Sequence, residues 1–415
     1  MKRTRVVITG MGALSAIGNN VAELREGLIA GRDGVERLRG FDPSRHRFEL
    51  AAELKDFTPE DHFDEAELPH ISRGTQMSRI VAAEALRDAG LDLDLEDRGR
   101  IGVILGTDLG GMPAAESGYR ALHFPYRRGA AEEGDPWASL VLDSFICSVA
   151  DQLANHYDLS GTTLIVSTAC SAGLHAIGIG ADAIRRGEAD VMLVGGVDPL
   201  SEMPHAGFGV LRSLAKDKIR PFSKDRSGTI LGEAAAMLVL ESEEHAIARG
   251  AKIWCEVAGY GSSTDALHMT RPDDTGGGPA RAMQLALDDA GVTAAQIGYI
   301  KAHGTATPAN DVIETRAIKR VFGEKSSVPV SSIKSMLGHS LGASGAIESV
   351  AAVLALDGGF LPPTINLDTA DPDCDLDYVP NASRPARFDA VLANAFGFGG
   401  NNASMVFRRT SEVAR

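Results

Sequence analysis

Cysteine is scarce in this sequence, and the few cysteines present are not paired. The 415 residues include four, at Cys147, Cys170, Cys255 and Cys374. None shows the Cys-x-x-Cys spacing of zinc and redox sites, and a disulfide-stabilised domain would need a denser framework. The cysteine content therefore predicts a reduced, cytoplasmic protein without a cysteine-based metal site.

Positive charge and long apolar runs are also in short supply. The chain has 41 Lys and Arg against 56 Asp and Glu, a formal charge of −15, which argues against general binding to nucleic acids or anionic membranes. No run approaches the roughly 20 apolar residues of a membrane-spanning helix. The apolar N-terminal stretch is broken by Thr9, Gly10 and Gly12, so it does not read as a signal peptide.

Short apolar runs alternate with amphipathic segments along the whole chain. Runs such as RVVITG at 5–10 and DVMLVGG at 190–196 are apolar nearly throughout, as strands covered on both faces are. Segment 278–290 has helical spacing of its apolar residues. The pattern predicts an α/β protein with helices on both faces of its sheets.

No linker rich in Pro, Gly or Ser divides the chain. The best candidate for a domain boundary is a short polar stretch at 242–252, so we expect two closely packed α/β halves, 1–248 and 249–415. The first would carry a nucleophile and the second two histidines. Segment 110–137 is irregular and rich in Gly and charge, and we expect a surface excursion there.

Cys170 stands between a predicted strand and a predicted helix. The helix ends in two arginines and Gly187, a cationic last turn followed by a glycine stop. A cysteine at a helix N-terminus is favoured as the thiolate, and strand–turn–helix is the logic of a nucleophile elbow. The stretch predicts a nucleophilic thiol. A buried structural cysteine is the alternative.

Two histidines occupy loops comparable to that of Cys170. His303 follows a predicted strand in IKAHGTATPAND, and His339 lies between a strand and a helix in KSMLGHSLGASG. Strand-end loops are where α/β sheets carry ligand sites, so we expect the three side chains to converge. A zinc site is an alternative, although no His-x-x-x-His spacing supports it.

Lys334 and a glycine-rich turn complete the candidate set. If Lys334 is buried it needs a carboxylate partner, and Glu348, Asp311 and Glu314 are the candidates. A solvated loop lysine is the alternative. The turn NAFGFGGNNAS at 394–404 lets the backbone approach a site closely and present an N–H group as an oxyanion donor.

In this combination the residues resemble a known family. The chain is similar to the β-ketoacyl-acyl-carrier-protein synthases, most closely the synthase II type, over nearly its whole length. The motifs are STACSAG, AHGTATPANDVIE, KSMLGHSLGASGAIES, PPTINLD and FGFGGNN, in that order. The resemblance implies a thiolase-like fold of five layers, αβαβα, with two pseudo-symmetric halves. It also implies a homodimer or a heterodimer with a chain-length-factor-like subunit.

The resemblance implies a decarboxylative Claisen condensation that uses no metal or other cofactor. Cys170 would accept an acyl chain from an acyl carrier protein, and the enolate of a decarboxylated malonyl group would attack it. The resemblance implies that the N–H groups of Cys170 and Phe398 form an oxyanion hole and that His303 and His339 stabilise the enolate. It implies electrostatic support by Lys334 with Glu348, structural support by Asp311 and gating by Phe398. The implied substrate contacts are Thr270, Thr305, Thr307, Leu109 and Phe396.

Three departures from the synthase II pattern concern the substrate rather than the chemistry. They are the pair after the nucleophile, Ser171 and Ala172; Asn401, where threonine is usual; and segment 112–146, which matches poorly. They favour a polyketide or polyene pathway over fatty-acid elongation, and the pathway stays open. We expect segment 137–153 to supply much of the acyl-pocket wall, partly from the other subunit, with Phe145, Ile146 and Cys147 as its inward-pointing residues.

Other classes fit the sequence less well. Degradative thiolases use a second cysteine in a glycine-rich loop, which Cys374 is not, and a cysteine protease leaves His339 unexplained. A non-catalytic or decarboxylase-only partner subunit is the alternative function, and Cys170 argues against it. Docking of an acidic carrier protein needs a basic patch, for which the candidates are Arg73, Arg79, Lys216, Lys218 and Arg220.

Overall fold

The chain alternates strands and helices over the residues that the computed structural model describes, 3–123 and 137–410. The α-helices are α1 (Val21–Ala30), α2 (Arg73–Ala89), α3 (Met112–His123), α4 (Trp137–Asp143), α5 (Ser148–His156), α6 (Ala172–Arg185), α7 (Glu202–Val210), α8 (Glu243–Ala248), α9 (Gly277–Ala290), α10 (Asn310–Phe322), α11 (Lys334–Leu337) and α12 (Ser344–Gly358). The strands are β1 (Val6–Ser15), β2 (Glu36–Arg37), β3 (Leu50–Ala51), β4 (Ile101–Gly106), β5 (Thr163–Val166), β6 (Val191–Asp198), β7 (Ala234–Ser242), β8 (Cys255–Thr264), β9 (Tyr299–Lys301), β10 (Val330–Ser331), β11 (Phe360–Leu361), β12 (Arg384–Pro385), β13 (Ala390–Gly397) and β14 (Asn401–Arg408). The expected excursion at 110–137 contains α3, and its residues 124–136 lie outside the described residues.

The large sheet consists of two five-stranded halves with the same strand order. The order is β5-β4-β6-β7-β1 in the N-terminal half and β10-β9-β13-β14-β8 in the C-terminal half. In each half the first three strands run parallel and the last two pair antiparallel. The halves join where Val7 and Ile8 of β1 pair with Glu256 and Cys255 of β8. The repeat confirms the predicted pseudo-symmetric halves, linked here along one edge.

Helices α6 and α12 form the middle layer. They pack against each other, and both contact strands of the N-terminal half and of the C-terminal half. Helices α2 and α5 cover the outer face of the first half-sheet, while α9 covers that of the second with α10 packed beside it. Counted from one side to the other, this is the five-layer αβαβα arrangement that the resemblance implied.

Helix α12 is buried on nearly every side because it lies between two sheets. Segment 341–358 would be long and apolar enough to cross a membrane by length and composition, yet 89% of it is buried inside the protein. It is the one such segment among the described residues. A helix that is hydrophobic all round is typical of the core of a large protein.

The loops that follow the strands meet at one edge of the two half-sheets. Cys170 follows β5 and His339 follows β10, so the two side chains come from equivalent end strands of the two halves. His303 follows the neighbouring strand, β9. Non-glycine residues with left-handed backbone angles occur in each loop: Ala169 (φ 52°), Ala306 (φ 64°) and Leu341 (φ 48°). Such strained conformations are held by surrounding structure and cluster at functional sites.

Candidate active site

Cys170 lies on a sharp turn between β5 and α6, one residue before the N-cap Ser171. The turn is closed by the N–H of Ala172, which donates to the carbonyl of Ala169 at 2.8 Å. The thiol is only 5% exposed. The backbone N–H groups of Cys170 itself and of Phe398 lie against Sγ and act to lower the pKa of the thiol. Two N–H groups that converge on the nucleophile are the geometry of an oxyanion hole.

The glycine-rich turn reaches Cys170 because it lacks a side chain at the point of contact. A Cβ on Gly397 would lie 2.8 Å from the carbonyl oxygen of Thr168 and 3.2 Å from the nitrogen of Cys170. A larger residue there would push the turn away from the thiol. Glycine at this position therefore brings the N–H of Phe398 to Sγ.

Burial, opposed by local donors, decides the protonation state of Cys170. Desolvation and the nearby Asp108 carboxyl raise the pKa of the thiol to about 12, while Lys334 and the two N–H groups act in the opposite direction. The expectation that the helix N-terminus holds a resting thiolate is therefore wrong. The sequence did not reveal that the thiol is enclosed, and desolvation outweighs the helix end here. At neutral pH the thiol needs a base.

His339 is placed to be that base. Its Nε2 lies 3.0 Å from Sγ of Cys170, and its Nδ1 lies 2.9 Å from the hydroxyl of Ser344. Burial, followed by the charges of Lys334 and Lys301, holds the pKa of His339 well below its usual range. The neutral imidazole can therefore accept the thiol proton.

His303 faces His339 across the site. The two ring centroids are 5.6 Å apart and nearly perpendicular. Burial and then the charge of Lys334 hold the pKa of His303 well below its usual range, so this ring is also neutral. Because Nδ1 of His303 lies 3.3 Å from the Lys334 ammonium, Nδ1 is the acceptor and Nε2 carries the hydrogen. His303 is thus a hydrogen-bond donor through Nε2.

The three carboxylates considered as ion-pair partners of Lys334 have different hydrogen-bond partners. Lys334 Nζ donates to Glu348 at 2.5 Å and to the carbonyl of His303 at 2.8 Å, all of them buried. Glu314 instead accepts from the N–H groups of His303 and Gly304, each at 2.8 Å. Of the three candidates, Glu348 is the partner of the lysine.

Asp311 supports the loop that follows His303. Its carboxylate is fully buried and accepts the N–H of Phe222 at 2.7 Å and that of Ala306 at 3.1 Å. It thereby fixes Ala306 in its left-handed conformation. The loop then holds the hydroxyls of Thr305 and Thr307 2.9 Å from each other.

A cavity of about 330 Å³ opens onto these groups. Eight of the expected site residues line it: Cys170, Thr270, His303, Thr305, Thr307, His339, Phe396 and Phe398. Lys334, Glu348 and Asp311 lie behind the lining. The cavity is large enough for a thioester and part of its carrier arm.

Leu109 is not among the lining residues of this cavity. It is 7% exposed and belongs to an apolar cluster with Phe48 and Leu341, against which Phe208 packs. Phe208 also lines the cavity and stacks on Phe398, with ring centroids 5.5 Å apart. Phe208 therefore contacts both the cavity and the apolar cluster that contains Leu109.

The residues expected to form the rest of the acyl pocket point elsewhere in the single chain. Phe145 and Ile146 are 57% and 38% exposed, and Cys147 is also exposed. They follow the short helix α4 and do not line the cavity. Their side chains lie on the surface of the single chain, and the expectation that this segment forms the pocket wall, partly from the other subunit, stays a prediction.

Four residues near the site were not singled out from the sequence. Phe208 stacks on Phe398, and Ser344 holds His339. Asp265 accepts from the side chain of Asn402 at 2.7 Å, and its N–H donates to the carbonyl of Gly400. Lys301 lies 2.8 Å from Glu348. Only Ser344 stands inside a motif that carries the resemblance, and Lys301 directly precedes one, so only these two could have been suspected.

The three central side chains also have the spacing of a metal site. Sγ of Cys170 and a ring nitrogen of each histidine, His303 and His339, lie within 4.8 Å of one another. Thiolate and imidazole are ligands that zinc accepts. Two buried ammonium groups, on Lys334 and Lys301, stand beside them and would repel a divalent cation. The charge around the donors therefore disfavours the zinc alternative.

Comparison with known proteins agrees with this geometry. The family described as "Beta-ketoacyl synthase, N-terminal domain" matches residues 3–246, and "Beta-ketoacyl synthase, C-terminal domain" matches 254–368. The 3-oxoacyl-[acyl-carrier-protein] synthase 2 of Coxiella burnetii is 41% identical over 417 residues, covering 99% of each chain. The same-named protein of Staphylococcus aureus strain COL is 40% identical over 412 residues, covering 98% of each.

Solved structures point the same way. The ishigamide ketosynthase/chain length factor has a TM-score of 0.92 and 39% identity, covering 99% of this chain and 100% of that one. A β-ketoacyl synthase from Burkholderia phymatum has a TM-score of 0.89 and 36% identity, covering 98% and 100%. With the resemblance and the fold thus confirmed, the chain belongs to the β-ketoacyl synthase family.

Proposed function

We propose that this protein joins an acyl chain, held as a thioester on Cys170, to the enolate formed when malonyl-acyl-carrier protein loses CO2. The products are CO2 and a 3-oxoacyl-carrier protein that is two carbons longer. The observation that carries the proposal is the convergence on one buried thiol of a neutral histidine base and two N–H donors, with a second neutral histidine opposite.

In the first step the acyl chain moves to the enzyme. The thiol proton of Cys170 passes to Nε2 of His339, and the thiolate attacks the carbonyl carbon of the incoming thioester. The N–H groups of Cys170 and Phe398 stabilise the oxyanion. The carrier thiol leaves with the proton from His339, which returns to its neutral form.

In the second step CO2 leaves and the new carbon–carbon bond forms. Nε2–H of His303 donates to the thioester oxygen on which enolate charge develops. His339 can donate to the same oxygen, because the Ser344 hydroxyl accepts from Nδ1 or donates to it and so permits either tautomer. The enolate carbon attacks the acyl carbonyl, and Sγ of Cys170 is expelled as the thiolate. No metal or redox cofactor enters either step.

An acyl carrier protein is the proposed partner. The structural relative described as AntDE:AntF, a type II PKS acyl-carrier protein with its ketosynthase, is 33% identical to this chain with a TM-score of 0.88. In this chain Arg212 lines both the catalytic cavity and an adjoining groove that also contains Arg47 and Lys216. All three are exposed, so this groove offers a basic surface beside the mouth of the cavity.

The three arginines among the sequence-based docking candidates form ion pairs within the chain. Arg73 pairs with the buried Glu233 at 2.6 Å, and Arg79 pairs with Glu67. Arg220 pairs with Asp217 at 2.6 Å. Lys216 and Lys218 are exposed, and Lys216 lies in the basic groove. Together with Arg47 and Arg212, these lysines are the proposed docking residues.

We also propose that two subunits pair through the end strand β5. Its outer edge has no partner strand among the described residues, and Leu164 on it is 46% exposed. Phe145 and Leu142 (69% exposed) add apolar surface preceding the same strand. Open edges and apolar patches are the features that subunit interfaces cover. A homodimer accounts for them, and a ketosynthase/chain-length-factor heterodimer is the alternative.

The setting proposed for the enzyme is a type II fatty-acid or polyketide pathway in the cytoplasm. The four cysteines are free, which fits a reducing compartment.

The division into halves 1–248 and 249–415 places the boundary between α8 and β8. The alternative of a decarboxylase-only partner subunit needs no acyl-accepting thiol, and Cys170 disfavours it.

Mass spectrometry tests the proposed acyl-enzyme. The protein is incubated with an acyl chain bound to acyl carrier protein, and its mass is measured intact and after digestion with a protease. We expect one acyl group, located on Cys170, and release of 13CO2 when malonyl-carrier protein labelled in the free carboxyl group is added. An enzyme that releases CO2 without ever carrying the acyl group would instead be the decarboxylase-only subunit.

A further inference from the structure

A second lysine is buried behind the two histidines. Lys301, the last residue of β9, is 0% exposed and is one of the largest fully buried side chains. Its Nζ lies 2.8 Å from Oε2 of Glu348 and donates to the carbonyl of Ala302 at 2.5 Å. Lys334 occupies the other oxygen, Oε1, of the same carboxylate. Two ammonium groups therefore share one carboxylate.

This arrangement adds a positive charge that the Lys334–Glu348 pair alone would not supply. One lysine neutralises Glu348, and the second is left over. Glu314 faces the cluster from α10, and burial raises its pKa. Whether Glu314 is charged or neutral, Lys301 makes the shell behind His303 more positive by one unit. Burying a charge is costly, so a second buried lysine calls for a function.

We propose that Lys301 is a positioning residue whose charge keeps His303 and His339 neutral and favours the enolate that forms in front of them. It touches neither substrate nor reacting atoms, and acts through Glu348, Lys334 and the two rings. The proposal rests on the roles given above to the two histidines.

The electrostatics of both rings support it. Lys301 lowers the pKa of His339 after burial and Lys334, and that of His303 after burial, Lys334 and His339. In its neutral form the His303 ring donates Nε2–H while its Nδ1 accepts from the Lys334 ammonium. The same positive field stabilises negative charge on that oxygen, since site charges act strongly where water is excluded.

Lys301 itself titrates close to the working range. Burial and the neighbouring Lys334 lower its pKa to about 8, although Glu348 and Glu314 act against that shift. Below this pH the ammonium is charged and the cluster is complete. Above it the charge is lost, so CO2 release by the unaltered acyl-enzyme should fall as the pH rises past about 8.

The test compares Lys301→Met and Lys301→Gln with the unaltered enzyme. Methionine retains the volume without charge, and glutamine retains a hydrogen-bond donor without charge. We expect both to acylate Cys170 normally and to release CO2 from malonyl-carrier protein about tenfold more slowly or worse. In a plot of the CO2-release rate against pH, the fall in rate at low pH should occur at higher pH in both variants, because the pKa values of His303 and His339 rise when a positive neighbour is removed.

Tyr299→Phe is the matched control. Tyr299 lies on the same strand, is fully buried, and loses only a hydrogen bond to Ser331 at 2.7 Å. It should leave the rate and pH profile of CO2 release unchanged. Normal rates in Lys301→Gln with slow rates in Lys301→Met would show a structural role for the hydrogen bond and overturn the proposal, as would a fall in rate at low pH that occurs at the same pH in both variants as in the unaltered enzyme.

The unaltered enzyme provides a measurement that does not depend on folding of a variant. If the pre-formed acyl-enzyme releases CO2 equally fast at pH 7 and well above pH 8, Lys301 does not act through its charge. Failure of the proposed condensation would look different, because the unaltered enzyme would then carry no acyl group on Cys170 or release no CO2 at any pH.

Discussion

Nε2 of His339 lies 3.0 Å from Sγ of Cys170, while Nδ1 of the same ring lies 2.9 Å from the Ser344 hydroxyl. One imidazole is therefore held between the nucleophile and a group that can donate or accept. The ring is neutral, and the thiol beside it is protonated because its pKa is raised. The thiol must therefore give its proton to a base such as His339 before it can act as a nucleophile.

Replacement of Cys170 by alanine tests the nucleophile. Cys170→Ala should accept no acyl group and form no condensation product, while its circular dichroism and oligomeric state stay those of the unaltered protein. Cys255→Ala is the control, because Cys255 is also fully buried yet lies in β8, away from the cavity. It should still be acylated once, by mass spectrometry. Condensation by Cys170→Ala would disprove the mechanism.

The two histidines should differ in the step that they affect. His303→Ala is expected to acylate Cys170 normally but to release CO2 about 10²-fold more slowly, since it loses a donor to the enolate. His339→Ala should slow acylation as well, because it removes the base 3.0 Å from Sγ. Acyl-enzyme formation is followed by mass spectrometry and decarboxylation by labelled CO2. Equal effects of both variants on both steps would contradict this assignment.

Alkylation of Cys170 should depend on pH in the way that a buried thiol requires. With the pKa raised to about 12, little thiolate is present at neutral pH, and the rate of modification by iodoacetamide should keep rising well above pH 8. The measurement uses a Cys147→Ala background, since Cys147 is exposed and would react as well. If the alkylation rate instead levels off near neutral pH, Cys170 is already a thiolate in the resting enzyme.

The sequence predicted the catalytic groups better than their environment. Cys170, His303 and His339 stand in loops rich in small residues after apolar strands, so their convergence follows from the α/β pattern. The enclosure of the thiol does not, because desolvation depends on atoms from several distant segments. The stacking of Phe208 on Phe398 joins α7 to the turn after β13, and the pairing of Lys301 with Glu348 joins β9 to α12. Neither contact has a local signal.

Docking of the carrier protein should depend on the basic groove. Reversal of charge in Arg212→Glu or Lys216→Glu should raise the KM for carrier protein and weaken its dependence on salt, while leaving kcat largely unchanged. Lys325→Glu is the control, since Lys325 is exposed and does not line the groove or the cavity. Steady-state kinetics at two salt concentrations decide the matter. Equal changes in KM for Lys325→Glu would indicate a general charge effect and no docking site.

The length of the acyl chain should be controlled by Phe208 and Leu109 together. Phe208 lines the cavity and also packs against the cluster that contains Leu109, so we expect a long chain to pass Phe208 on its way to Leu109. Phe208→Ala should admit longer chains by opening that passage, Leu109→Gly should do so more weakly, and Leu109→Phe should restrict the enzyme to short chains. A larger side chain at Leu109 would overlap with the acyl chain, whereas a smaller one leaves volume that the acyl chain can occupy.

The readout is a product-length profile with carrier-bound acyl chains of graded length, saturated and polyunsaturated. Leu231→Ala provides the control, because Leu231 belongs to the same apolar cluster as Leu109 and does not line the cavity. If all four variants lose activity evenly at every length, these residues act only as core and the chain does not pass Phe208. If Phe208→Ala and Leu109→Phe shift the profile in opposite directions, the acyl chain runs from Cys170 past Phe208 towards Leu109.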